Sequence, residues 1–213
     1  MSGRRHDPAE VLLARRKLRI DEVVSQRVRG LTLVLEQVHD PHNLAAILRS
    51  AEGLGLQDLH VVEGPKGFRP SQAVTQGADK WIDVHRHESA AACAGQLRAR
   101  GFRLFGSQLE GQARSPQELP AAEKLALVFG NEHAGLSEAF AGHCDGFFRI
   151  PMSGFSQSFN VSVAVGITLA TAMQNRRTLG LGGDLSEEEQ AALRQRFYAL
   201  AAPSTRRLRG GEG

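Results

Sequence analysis

The chain has 213 residues, 41% of them hydrophobic and 23% charged, a balance that excludes a disordered tail or a membrane-embedded fold as the basis of the protein. No apolar run reaches the about 18 residues of a membrane span, and the opening MSGRRHDPAE lacks the apolar core of a secretory signal, so a cytoplasmic protein is expected. The net charge of +3 is unevenly spread: residues 1–30 carry eight Lys/Arg against four Asp/Glu, residues 176–213 seven against five, and the middle is slightly acidic. Positive ends flanking an acidic body suit a polyanion met through the termini.

In chain order, Asp7-Pro8 offers a helix start, and Val11, Leu12, Leu18, Val23, Val24 and Val28 among many Arg predict one or two amphipathic helices ending at Gly30. LTLVLEQV then reads as a buried strand, HDPHNLAAILRSAEGLGL as turn, helix and glycine stop, and DLHVVEG as the next strand. This βαβ unit predicts a parallel sheet. A loop, a short helix and a strand around Trp81 follow, then the helix ESAAACAGQLRARG, the strand FRLFGSQ and the loop ARSPQELPAAEK. LALVFGNEHAGLS runs from strand through tight turn to helix, and GFFRIPMSG is a short strand. The linker LGLGGD precedes a last helix, SEEEQAALRQRFYAL, with Ser186 and Glu189 spaced as a capping box. The fold class expected is α/β, a mostly parallel sheet with helices on both faces. Its domain spans residues 31–178, with a basic helical extension over 1–30 and a linker and helix over 179–213. Cys93 and Cys144 have no CxxC spacing and no His or Cys cluster nearby in sequence, which reads against a disulfide framework or a zinc site.

Three stretches are candidates to carry chemistry. In DPHNLAAILRSAEGLG, Asn43 stands at a helix-capping position and Arg49 six residues on, roughly 240° round a regular helix, so the two serve one site only if Asn43 lies in the loop. In LVFGNEHAGLS, Asn131, Glu132 and His133 sit in the turn leaving an apolar strand, the edge at which open α/β sheets bind ligands. No GxGxxG follows the first strand, which argues against a nicotinamide-dependent oxidoreductase. In IPMSGFSQSFNVSVAVG, Gly154 and Pro151 shape an uncharged loop, Ser158 and Asn160 are neutral donors and acceptors, and VSVAVGITLATAM is a small-residue helix.

Together and in this order, NLAAILRSAEGLG, LVFGNEHAGLS and IPMSGFSQSFNVSVAVG resemble the three motifs of the SpoU/TrmH family of SPOUT RNA methyltransferases, over about Leu31 to Arg177. With the basic amino-terminal helix they look most like the members that methylate the 2′-hydroxyl of tRNA guanosine 18, with ribosomal RNA or another tRNA position as the alternative. The resemblance implies a carboxyl-terminal trefoil knot holding S-adenosyl-L-methionine, a homodimer with active sites near its interface, and no metal and no membrane.

It implies that Arg49 activates the ribose hydroxyl, as base or as stabiliser of the developing alkoxide. Asn43 and Glu132 would orient Arg49 and the substrate, and Ser158 and Asn160 would shape the site. The positions matching cofactor contacts are Ser107, Phe129, Gly130, Ile150, Met152 and Phe159, the last standing where similar enzymes have Leu. RNA contact is expected from Arg15, Arg16, Lys17, Arg19, His42, Arg176 and Arg177, with Gln174 at a position where the family pattern has Arg.

Overall fold

Strand β1 (Leu31–Glu36) is buried at all six positions; one face is all Leu, and on the other Val34 lies between Thr32 and Glu36, whose side chains are hydrogen-bonded to Asp58 O and to Ser137, so the strand is covered on both sides. It lies at the centre of a sheet with β2 (Asp58–Val62), β3 (Asp83–His87), β4 (Arg103–Ser107), β5 (Leu125–Phe129) and β6 (Gly146–Phe148), in the order β3-β2-β1-β5-β4-β6. Every pairing is parallel, with Leu33 opposite Leu59 on one side and Leu127 on the other. This is a computed structural model describing residues 12–63, 69, 75 and 77–202. The expected helix start at Asp7-Pro8, most of the segment between β2 and Gly77, and the tail from Pro203 lie outside the described residues.

The two faces of the sheet hold separate cores because successive strand side chains point opposite ways. On one face Leu33, Leu35, Leu59, Leu127 and Phe129 meet α2 (Pro41–Gly53) through Leu44, Ile47 and Leu48, and α5 (Val161–Thr178) through Val165, Leu169 and Met173. On the other, Val34, Val62, Leu104 and Val128 meet Cys93, Ala94 and Leu97 of α3 (Ala90–Ala99) and Phe140 of α4 (Glu138–Ala141). The expected parallel α/β sheet with helices on both faces is therefore present. The strand around Trp81 begins two residues later, after a 3-10 turn over Ala78–Trp81.

The described chain falls into two compact units, Val28–Asp184 and the segments up to Arg27 and from Leu185 onward. Within the first, the Asp184 carboxylate accepts from the backbone N–H groups of Arg29 (2.6 Å) and Gly30 (2.8 Å) and from Arg176 Nη2 (2.8 Å). A Cβ at Gly30 would lie 2.5 Å from Asp184 Oδ2, so the glycine read as a helix stop also admits this carboxylate. In the second unit α1 (Ala14–Ser25) packs on α6 (Glu187–Ala201) through Ile20, Val24, Leu193 and Phe197. Tyr198 donates to Asp21 (2.7 Å), and Arg194 pairs with the same carboxylate. The capping box expected at Ser186 and Glu189 is formed. Among the described residues no helix is long and apolar enough to cross a membrane.

Candidate active site

The strand order reverses between β1 and β5: β2 and β3 follow on one side of β1, and β4 and β6 lie beyond β5. A crevice opens at such a switch point beyond the carboxyl ends of the strands, and the turns leaving β1 and β5 meet there. After β1, Gln37 takes a left-handed backbone conformation (φ 53°), unfavourable for a side chain with a Cβ. Its carbonyl accepts from Asn131 Nδ2 at 2.9 Å and its N–H donates to Val62 O at 3.1 Å.

Asp40, not Asn43, caps α2. Its carboxylate accepts from the N–H groups of His42 and Asn43, both at 2.8 Å, and Pro41 occupies the first helical position. This corrects the placement expected of Asn43; Asp followed by Pro was the available signal. Since Asn43 is in the first turn, it and Arg49 point from different faces of one helix, and the condition that Asn43 lie in the loop is not met.

After β5 the chain doubles back at once. Asn131 N–H donates to Gly135 O and Gly135 N–H to Asn131 O, each at 2.9 Å. At Gly130 a Cβ would stand 2.1 Å from the Gly135 carbonyl oxygen, so the turn closes only with glycine there. The Asn131 side chain fixes the turn from inside, its Oδ1 accepting from His133 N and Ala134 N. Just below, buried Glu36 at the end of β1 accepts from Ser137 Oγ (2.6 Å) and N (2.9 Å), while Ser137 caps α4.

A hydrogen-bond chain joins the three sequence motifs. Asn160 Nδ2 donates to Asn43 Oδ1 at 3.0 Å, and Asn43 Nδ2 to Glu132 Oε1 at 3.2 Å. Asn160 also caps α5, accepting from Ser162 N at 2.9 Å and from Ser162 Oγ at 2.6 Å. Beside this chain lies a cavity of about 1300 Å³ whose walls include Ser107, Phe129, Gly130, Ile150, Met152 and Phe159, every position matched to cofactor contact, together with Glu132, Ser158 and Asn160. Glu118 also lines it; hydrogen bonds from Ser115 N (2.7 Å) and Oγ (2.9 Å) hold its carboxyl below the usual carboxylate range. The walls thus combine main chain at Gly130, neutral side chains, the carboxyl groups of Glu118 and Glu132 and the guanidinium groups of Arg114 and Arg149.

Other sequence-stretch residues lie elsewhere. Arg49 is exposed on α2 and is not part of the cavity wall. His42 is exposed in the first turn of the same helix. On α1, Arg15, Arg16 and Arg19 are exposed and Lys17 half-buried, with Arg19 held by Glu22 at 2.6 Å. Arg177 is exposed, but Arg176 departs from the RNA-facing expectation. It is buried, donating to the carbonyls of Ala121 and Glu123 (both 3.0 Å) and to Asp184, so its guanidinium is committed inside the fold. Sequence reading missed Gln37, Asp40 and the bracing role of Asn131; a polar side chain leaving a strand end gives no sign of which backbone it will fix.

The SpoU rRNA methylase family matches residues 30–170. A Thermus thermophilus protein named tRNA (guanosine(18)-2′-O)-methyltransferase is 37% identical over 78% of this chain and 86% of its own. The crystal structure of the A. aeolicus TrmH/SpoU tRNA modifying enzyme superposes with a TM-score of 0.81 at 28% identity, covering 89% of this chain and 98% of that one. The SpoU methyltransferase AviRb from Streptomyces viridochromogenes, in complex with the cofactor AdoMet, superposes with a TM-score of 0.63 at 25% identity over 72% and 62% of the two chains. With a family match over most of its length, and its three motifs tied together at the switch point of a parallel sheet, the chain belongs to the SpoU methylase family.

Proposed function

We propose that the chain methylates a ribose 2′-hydroxyl of RNA, taking the methyl group from S-adenosyl-L-methionine, and that its target is guanosine 18 in the D-loop of tRNA. The observation that carries this reading is the Asn160–Asn43–Glu132 chain beside a cavity walled by the positions matched to cofactor contact. The tRNA target draws on the similarity to the Thermus protein across 86% of its length; the family's description keeps a ribosomal RNA target as the second reading.

The residues present fit the cofactor. The cavity exceeds the space a drug-sized ligand needs, about 300–1,000 Å³, and it offers main chain at Gly130 with carboxylates and guanidinium groups at Glu118, Glu132, Arg114 and Arg149. Such a wall meets a ligand carrying both signs of charge. When bound, the cofactor supplies an electrophilic methyl on a sulfonium. The protein then has to hold the ribose hydroxyl in line and ease loss of its proton.

Glu132, oriented by Asn43, positions the ribose or its phosphate, and Asn160 locks the third motif to the first. Arg49 has five N–H donors and no acceptor, which suits it to hydrogen-bond the oxygen as negative charge develops while a phosphate or water takes the proton. In this reading the chain is a homodimer with its active sites near the interface, which brings Arg49, exposed on α2, to the reacting oxygen. Exposed apolar groups at Val163 (47% exposed) and Phe159 (38%) support packing through the start of α5. The same reading includes a trefoil knot around the cofactor segment, a cytoplasmic location, and RNA backbone contact by Arg15, Arg16, Lys17, Arg19, His42 and Arg177. The domain of residues 31–178 carries the transfer, and the flanking segments 1–30 and 179–213 serve the RNA.

The test is Arg49→Ala. Transfer to RNA is expected to fall by at least about 100-fold, with cofactor affinity by calorimetry unchanged. Turnover near wild type would remove Arg49 from the mechanism.

A further inference from the structure

Away from the cavity, β2, β3 and α3 bring together side chains that are far apart in sequence. Asp58 and His60 of β2 share a sheet face with His85 and His87 of β3, His60 standing opposite His85 in the register, and Cys93 of α3 packs against that face. Half of this polar group is accounted for by charge pairing. Buried Asp58 accepts from Arg29 at 2.8 and 2.9 Å, has His85 Nε2 at 2.8 Å, and lies 3.6 Å from Arg100.

Among the described residues the other half has no such partner set. His60 and Cys93 are fully buried and His87 is 9% exposed. One donor atom from each of these three lies within 4.8 Å of the other two. His60 Nδ1 stands 2.9 Å from His87 Nε2, a contact that uses a single proton between two rings, and His60 Nε2 is buried without a hydrogen-bond partner among the described residues. Two imidazoles and a thiol turned together in a dry interior form a borderline-soft donor set rather than a charge pair.

We propose that His60, His87 and Cys93 form a His₂Cys site for a zinc-class divalent transition-metal ion. Three protein ligands of this kind, with a fourth position left open, are an ordinary zinc arrangement, whereas magnesium and calcium prefer oxygen. With metal–N of about 2.0 Å and metal–S of about 2.3 Å, donors on one tetrahedral ion lie about 3.3–3.5 Å apart, so donors now within 4.8 Å of one another close by on the order of 1 Å and the ion replaces the His60–His87 contact, a movement within reach of side-chain rotation. The Cys93 thiol proton passes to solvent as the sulfur–metal bond forms, so one proton is released per ion. His87, the least buried of the three, gives the entry side. The ion would tie edge strand β3 to α3. A CxxC-type spacing never arises in sequence because the three ligands come from three elements. The site does not depend on the RNA-methylation reading.

The experiment uses the full chain, stripped of metal with a chelator and titrated with Co²⁺ and then Zn²⁺. Expected are about one ion per chain, a thiolate-to-cobalt charge-transfer absorption that zinc displaces, and a rise in melting temperature with zinc. Cys93→Ala should abolish the charge-transfer band and His87→Ala should weaken binding by at least about tenfold, both with wild-type circular dichroism, while Cys144→Ala leaves the band intact. No thiolate–cobalt band in the wild type, or a band that survives Cys93→Ala, overturns the site. Methyl transfer to RNA, assayed separately, bears on the functional reading alone.

Discussion

Gly130 has no room for a methyl group, because the Gly135 carbonyl oxygen occupies the space at 2.1 Å. Gly130→Ala must push apart the two strands of the turn that carries Glu132. Expected is a loss of about 1–3 kcal/mol in denaturant unfolding, together with weaker cofactor binding by calorimetry; unchanged affinity would mean that the turn does not shape the cavity. His60 makes a separate prediction. Burial, then the neighbouring His85 and His87, push its pKa down from 6.5 to about 3 against the opposing pull of Asp58, and burial lowers His87 as well. A histidine held neutral in the fold is protonated more readily when unfolded. Its stabilisation is therefore full above about pH 6.5 and is lost as pH falls toward about 3, at up to about 1.4 kcal/mol per pH unit. Asp58 adds to the loss only at the acid end, because its own burial is outweighed by the His85 hydrogen bond and by Arg29, so its pKa is lowered. Unfolding of metal-stripped protein across this range should show the slope, and His60→Gln should flatten it; an equal slope in the variant would contradict the assignment.

At the scale of elements, the chain returns to the start of β1 through one carboxylate. Asp184 serves the N–H groups of Arg29 and Gly30 and the buried guanidinium of Arg176. Asp184→Asn leaves that charge without its counterion, and breaking a buried pair in this way costs about 3–5 kcal/mol. Chemical denaturation should register a loss of that order, and a change below about 0.5 kcal/mol would show that Arg176 is satisfied by the Ala121 and Glu123 carbonyls alone. The strands themselves were legible in sequence because LTLVLE and LALVF are rich in Leu and Val and end at turn residues. The cap of α2 was not. Asp before Pro pointed to Asp40, but Asn43 is a good capping residue too, and the structure has Asp40 taking the two N–H groups while Asn43 is left to bond Glu132 and Asn160. Arg176 was misplaced for a related reason: adjacent arginines read alike in sequence, yet on a helix they point about 100° apart, one into the fold and one into solvent.

For the molecule as a whole, alternation of strands and helices predicted a parallel sheet, but not the order β3-β2-β1-β5-β4-β6, which rests on non-local pairings such as Leu33 with Leu127. That order brings the ends of β1 and β5 side by side and makes one site of motifs nearly ninety residues apart, Asn43 and Glu132. The six positions matched to cofactor contact line one cavity while Arg49 and Asn43 are not in its wall, and the grouping of His60, His87 and Cys93, drawn from three elements, carries no CxxC-type spacing. The proposed reaction is ribose methylation at one nucleotide of tRNA. Its most direct test is to incubate the protein with labelled S-adenosyl-L-methionine and separate tRNA and ribosomal RNA transcripts, then map the label. Expected is a single 2′-O-methylated guanosine at position 18 of tRNA; label on a base, or no label on any RNA, would rule ribose methylation out.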